Sequence, residues 1–131
     1  MNIQAGDKIP AWTMESVSAQ KMKTMAAILR DPNPLHWDRD SVASLPLQLG
    51  QRTINQGPLG LGYIINMLHS WQGPDCLKRI TMTFPGLVLD GDRVIARGNV
   101  TSVEGELAHC KVWLEHEDGR KLLIGSADVY L

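Results

Sequence analysis

The sequence predicts an α+β domain in which a curved antiparallel sheet wraps around one buried helix. Three observations carry this. Residues 58–71 form the longest apolar stretch, with Leu59, Leu61, Tyr63, Ile64, Ile65, Met67, Leu68 and Trp71 covering nearly the whole circumference of a helix; a helix apolar all round is buried on most sides. Residues 76–131 instead alternate with period 2 and are broken by glycine-containing turns, as in an antiparallel meander. The strand faces are rich in small residues (Ala96, Gly98, Ala108, Gly125, Ala127), which lets a sheet curl closely around a helix.

Taken in order, Lys8–Val17 reads as a strand weakened by Pro10, because proline donates no ladder hydrogen bond. Ser18–Arg30 reads as a helix with Met22, Met25, Ala26 and Leu29 on one face, Lys21 and Lys23 outside it, and Ser18 as N-cap. Pro32 disfavours helical geometry at Asp31, so the helix ends near Leu29–Arg30 and Asp31–His36 becomes an irregular turn. A short helix follows, capped by Asp38, with Val42 and Leu45 inward and Pro46 as its stop. Gly57-Pro58 starts the buried helix, where proline loses no hydrogen bond, and Gly73-Pro74 ends it. Four strands follow: Leu77–Phe84, with Ile80, Met82 and Phe84 on one face; Arg93–Val103, with Val94, Ala96, Gly98 and Val100; Leu107–His116, with Ala108, Cys110, Val112 and Leu114; and Lys121–Leu131, with Leu123, Ala127, Val129 and Leu131. Their turns are Asp90-Gly91-Asp92, Glu104-Gly105 and Asp118-Gly119. A buried helix wrapped by such a sheet is the hotdog arrangement, here a single domain over 1–131.

Composition narrows the function. The 131 residues are 44% hydrophobic and 21% charged with net charge −1, an ordinary globular balance. Lys and Arg are scattered, so a nucleic-acid partner is not expected. The N-terminus is too polar for a signal peptide and no apolar run reaches the ~20 residues of a membrane helix; a cytoplasmic protein without a membrane partner is expected. Cys76 and Cys110 lack metal or redox spacing and read as reduced, buried thiols. The glycines at 57, 60 and 62 are not a dinucleotide fingerprint, since no strand-turn-helix unit with a downstream acid surrounds them.

The chemistry concentrates in Asp31-Pro32-Asn33-Pro34-Leu35-His36. Proline fixes φ near −65°, so the carboxylate and the imidazole are held on a stiffened turn. Such a pair can share and activate one water by general acid–base catalysis. Spacing alone reads equally well as an Asx-turn beside a surface histidine. Asn33 is either a turn residue bonding its own backbone or part of the site. His69, His109 and His116 have no companion carboxylate at catalytic or metal spacing and read as surface or strand histidines. Tyr63 and Trp71 read as core or dimer contacts, and Asp38-Arg39-Asp40 as a cap and a solvated charged turn.

The pattern D-x-N-P-[LIV]-H followed by a short helix resembles the hydratase motif of the MaoC-like dehydratases, the (R)-specific enoyl-CoA hydratases. Asp31, Asn33, Pro34, Leu35 and His36 match it, and His36-x-Asp38, Gln56-Gly57 and the later strand order extend the likeness along the chain. The resemblance implies that Asp31 and His36 are catalytic, activating the water that attacks Cβ of a trans-2-enoyl-CoA. It implies that Gly57 supplies the N–H that polarises the thioester carbonyl and that Asn33 holds the polar network. It implies neither metal nor cofactor. Two positions depart from it: Arg30 stands where glycine usually precedes the aspartate, which could alter substrate choice or tilt the aspartate, and Gln56 where histidine usually precedes Gly57. The stretch from His36 to Pro74 is also similar to small MaoC-like subunits that hydrate steroid side-chain enoyl-CoA beside a second hotdog subunit. The alternatives therefore include a subunit of a heteromeric hydratase and a non-catalytic acyl-thioester-binding module. A homodimer or a hetero-oligomer with another hotdog subunit is expected, because one curved sheet leaves an edge to extend, with CoA along the interface.

Overall fold

The computed structural model describes residues 2–31 and 33–131; Met1 and Pro32 lie outside the described residues. The elements are β1 (Lys8–Met14), α1 (Ala19–Leu29), a 3₁₀ turn (Pro34–His36), α2 (Arg39–Ala43), α3 (Gly57–Gln72), β2 (Leu77–Thr83), β3 (Val94–Glu104), β4 (Leu107–His116) and β5 (Lys121–Tyr130).

The strands form one antiparallel sheet in the order β1-β3-β4-β5-β2. β3, β4 and β5 are the expected meander, turned at Gly105 and Gly119, both with positive φ. β2 is not its first member. It pairs with β5, and the chain then crosses back to β3 at the far side of the sheet. Period 2 fixes which face a residue occupies, whereas the neighbouring strand is a long-range choice. The Asp90-Gly91-Asp92 turn therefore ends that crossover and joins no hairpin.

β1 is an edge strand and ends at Met14, short of Val17. Its register slips between Ile9 and Trp12, and Pro10 sits in that slip, where its missing donor matters least. Val17 is buried beyond the strand and exchanges backbone bonds with the Asp90–Asp92 turn, its N–H to Asp92 and its carbonyl from Gly91.

α3 packs against all five strands. Tyr63, Ile64, Met67 and Leu68 are buried, while Leu61 and Ile65 are half-buried and Pro58, Asn66 and Ser70 are exposed. The helix is thus enclosed on the sheet side and only partly covered opposite. Ser18 caps α1, its side chain accepting from Lys21 N–H. Of the predicted inner face of α1 only Met22 is fully buried; Leu29 is exposed. β2 stops at Thr83, leaving Phe84 exposed, and Leu131 lies beyond β5. Among the described residues no helix is long and apolar enough to cross a membrane.

Small residues sit where the backbones crowd. A Cβ on Gly98 would lie 2.9 Å from Ile9 Cδ1 and 3.0 Å from the Lys111 carbonyl oxygen, and one on Gly125 would run into the Thr81 carbonyl of β2. Both cysteines are free and buried, and burial pushes the Cys110 thiol up to about 11.

His109 and His116 are strand histidines of β4, as expected, and each has carboxylate companions. His109 faces Asp128 across β4 and β5, with Nδ1 2.7 Å from Oδ1, and this hydrogen bond raises its pKa. His116 lies 3.4 Å from Asp92 and 3.2 Å from Asp118. Except for Asp118, these companions come from other strands and turns, out of reach of local spacing. Substituting Gly125→Ala is expected to lower stability by ~1–3 kcal/mol through overpacking, read as a fall in urea midpoint at unchanged m-value.

Candidate active site

α1 ends in a way that aims the following turn. Arg30 adopts a left-handed conformation, φ 53° and ψ 39°, and its N–H reaches the Ala26 and Ala27 carbonyls. The Asp31 N–H returns to Ala26 at 3.0 Å. This is the C-terminal cap that glycine normally fills, because a Cβ is disfavoured at positive φ. The glycine usual before the motif aspartate therefore has a backbone reason, and Arg30 occupies the position under strain.

Beyond the cap, Asp31 Oδ1 accepts the Asn33 N–H at 3.1 Å, and Asn33 Oδ1 accepts the Leu35 N–H at 3.2 Å. Asn33 is exposed and caps the 3₁₀ turn; its side chain is engaged with its own turn and its N–H pins the aspartate. His36 lies at the end of that turn. Its Nδ1 is 2.7 Å from the Ile54 carbonyl oxygen. A carbonyl only accepts, so Nδ1 carries the proton and, in the neutral ring, Nε2 offers a lone pair. Nε2 points to Asp31 Oδ2 at 3.6 Å, beyond a direct hydrogen bond. Two acceptors thus converge on one small space. The Asp31 side chain is 41% exposed and that of His36 15%, so water enters from the aspartate side.

Ile54 belongs to a short stretch that leads into α3. Its N–H donates to the Leu35 carbonyl at 2.8 Å, Asn55 N–H donates to Val88 at 2.7 Å, and Ile54 bridges Leu89. Gln56 is the N-cap residue of α3, but its side chain caps nothing. Its Nε2 donates to the Met22 carbonyl of α1 at 2.7 Å, and its Oε1 is buried with no partner among the described residues. The Gly57 N–H, at the positive end of α3, has no acceptor among the described residues.

Gly57 opens on a cavity of about 210 Å³ lined by Ile54, Gly60, Phe84, Val88 and Leu123 among others. The Phe84 ring would be 3.2 Å from a Cβ at Gly57, so the helix start has no room for a larger residue without moving that ring. Asp31, Asn33 and His36 are thus brought together, and Gly57 stands apart from them in the cavity wall. The link is Ile54, which lines the cavity and holds His36. Sequence reasoning missed Ile54 because a backbone carbonyl leaves no signature. Tyr63 lies in the core, stacked on Trp12 at 5.9 Å, and burial raises its hydroxyl to about 12. No group of three or more His, Cys, Asp or Glu among the described residues is set to hold a metal ion.

Residues 4–113 match the MaoC like domain. The chain belongs to the MaoC-like dehydratase family. Among curated proteins no sequence relative matches. Solved structures share the fold. The unliganded R-hydratase PhaJ1 of Pseudomonas aeruginosa is 21% identical with a TM-score of 0.86, over 98% of this chain and 81% of that one. The (R)-hydratase of A. caviae involved in PHA biosynthesis is 24% identical, also at 0.86, over 99% and 98%. The ChsH1-ChsH2 complex of Mycobacterium tuberculosis is 21% identical at 0.82, over 100% and 99%. The family is one of hydratases and dehydratases, and the hotdog arrangement expected from the sequence is the arrangement of this MaoC-like chain. Replacing the strained cap, Arg30→Gly, is expected to raise stability by about 0.5–1 kcal/mol, the relief at positive φ outweighing the entropy of glycine; thermal unfolding measures it.

Proposed function

We propose that this MaoC-like chain adds water to a trans-2-enoyl-CoA to give a 3-hydroxyacyl-CoA of (R) configuration. The observation that carries the reading is the convergence of Asp31 Oδ2 and His36 Nε2, 3.6 Å apart, with Nδ1–H committed to Ile54. Both atoms accept hydrogen bonds from one water. As the water oxygen bonds to Cβ, one of its protons passes to this pair. The Cα–Cβ π electrons move onto the thioester, and the Gly57 N–H at the start of α3 stabilises the enolate oxygen. A proton returned from the pair to Cα completes the addition, leaving the residues as they began. Asn33 serves as support, its N–H holding the carboxylate. The acyl chain occupies the cavity beyond Gly57. No cofactor takes part, the whole chain acts as one domain, and the enzyme works in the cytoplasm.

The sheet leaves β1 and β2 as edges, and pairing with a second hotdog chain would cover one of them and the half-open side of α3. Similarity to the ChsH1-ChsH2 complex, whose matched chain is spanned over 99% of its length, favours a second reading: a subunit active only beside another hotdog subunit.

The test is hydration of a short and a bulky 2-enoyl-CoA by the purified chain, followed as loss of enoyl-thioester absorbance. Asp31→Asn is expected to lower turnover by ~10²–10⁴-fold with an unchanged melting profile. Full activity in that variant would remove the aspartate from the mechanism. A folded chain that hydrates neither substrate, with a native mass showing an obligatory second chain, would support the subunit reading.

A further inference from the structure

The buried polar and charged residues among those described are Thr53, Asn55, Gln56, Asp90 and Asp92. They gather in two segments, the approach to α3 and the end of the crossover. Asp90 ties the two together. Its Oδ2 accepts both the Thr53 N–H at 2.6 Å and the Thr53 hydroxyl at 2.7 Å, and its own N–H donates to the Thr53 carbonyl at 2.9 Å. Its Oδ1 lies 3.7 Å from Arg39 Nη2. Its carbonyl accepts Arg52 Nε and Nη2 at 3.1 and 2.9 Å, and Arg52 also pairs with Asp92, which His116 approaches.

These partners flank one point. Thr53 immediately precedes Ile54, whose N–H binds Leu35 and whose carbonyl takes the His36 Nδ1–H. Arg39 follows His36 by three residues and also donates to the Gln51 carbonyl at 3.2 Å. The Asp90 carboxylate thus holds the chain on both sides of the bond that orients the imidazole. Burying a carboxylate is costly, but this one accepts the N–H of Thr53, a buried backbone donor that no apolar side chain at position 90 would pair, and so fixes the course of the chain into the Ile54 carbonyl.

We infer that Asp90 is a positioning residue for His36, acting through Thr53 and Ile54 to keep the proton on Nδ1 and the Nε2 lone pair aimed at Asp31. It touches no substrate. The kinetic consequence rests on the hydratase reading; the tautomer consequence does not. A misplacement of ~1 Å at a reacting group costs on the order of 10²-fold in rate.

The experiment combines steady-state hydration of crotonyl-CoA with ¹⁵N–¹H correlation of the His36 ring in the full chain. Wild type is expected to show Nδ1 protonated and Nε2 unprotonated in the neutral ring. In Asp90→Ala, kcat falls on the order of 10²-fold with KM little changed, and the ring nitrogens show mixed tautomers. Thr53→Val, which keeps the shape and the N–H bond but loses the hydroxyl, shows the same changes in smaller measure and carries the test if Asp90→Ala does not fold. Thr53→Ser restores both. A folded Asp90→Ala or Thr53→Val with wild-type kcat and an undisturbed Nδ1–H signal would overturn the inference, as would a change in KM alone. If wild type hydrates no enoyl-CoA, the reading as a hydratase active by itself fails, and the tautomer measurement alone decides the role of Asp90.

Discussion

The start of α3 has to be in one place for anything around it to make sense, and residues 53–56 put it there. This stretch is neither helix nor strand, yet its backbone is held at Leu35, at Val88 and at Asp90, and Gln56 reaches α1 through Met22. Buried backbone groups must be paired, and outside regular structure each pair has to be found separately. Besides Leu35, the chain finds them at Val88 and Asp90, in the crossover that brings β2 back to β3. The topology that looks like a detour is therefore what supplies the acceptors and donors for the site. A simple meander would have left the approach to α3 without them.

That dependence explains which parts were legible in the sequence. The turn that brings Asp31 and His36 together is six residues long and its backbone bonds are local, whereas the orientation of the imidazole comes from Ile54, eighteen residues on. The buried helix and the period-2 strands were legible because burial acts at every residue and leaves a repeating trace. Ser18 and Asp38 as caps follow the same local logic, each accepting from a backbone N–H two or three residues ahead.

What was not legible is joined over long separations. Asp90 and Asp92 look like any Asp-Gly-Asp turn, and only the fold buries them against Thr53 and Arg52, 37 and 40 residues earlier. His109 acquires Asp128 because β4 and β5 fall into one register, and no spacing rule anticipates it. Arg30 is a different case. The departure from glycine was visible and read as altering substrate choice or tilting the aspartate, whereas its backbone consequence, the left-handed cap of α1, was not.

The bond from His36 Nδ1 to Ile54 has a further meaning for traffic through the imidazole. Histidines that relay protons take one in at one nitrogen and release it at the other, which connects two compartments. Here one nitrogen is sealed against a carbonyl that accepts but cannot accept a transferred proton. The ring would be a cul-de-sac: a proton taken up at Nε2 would have to leave at Nε2, which among the described residues faces Asp31. The Ile54 carbonyl on Nδ1 would insulate the protein interior from such an exchange.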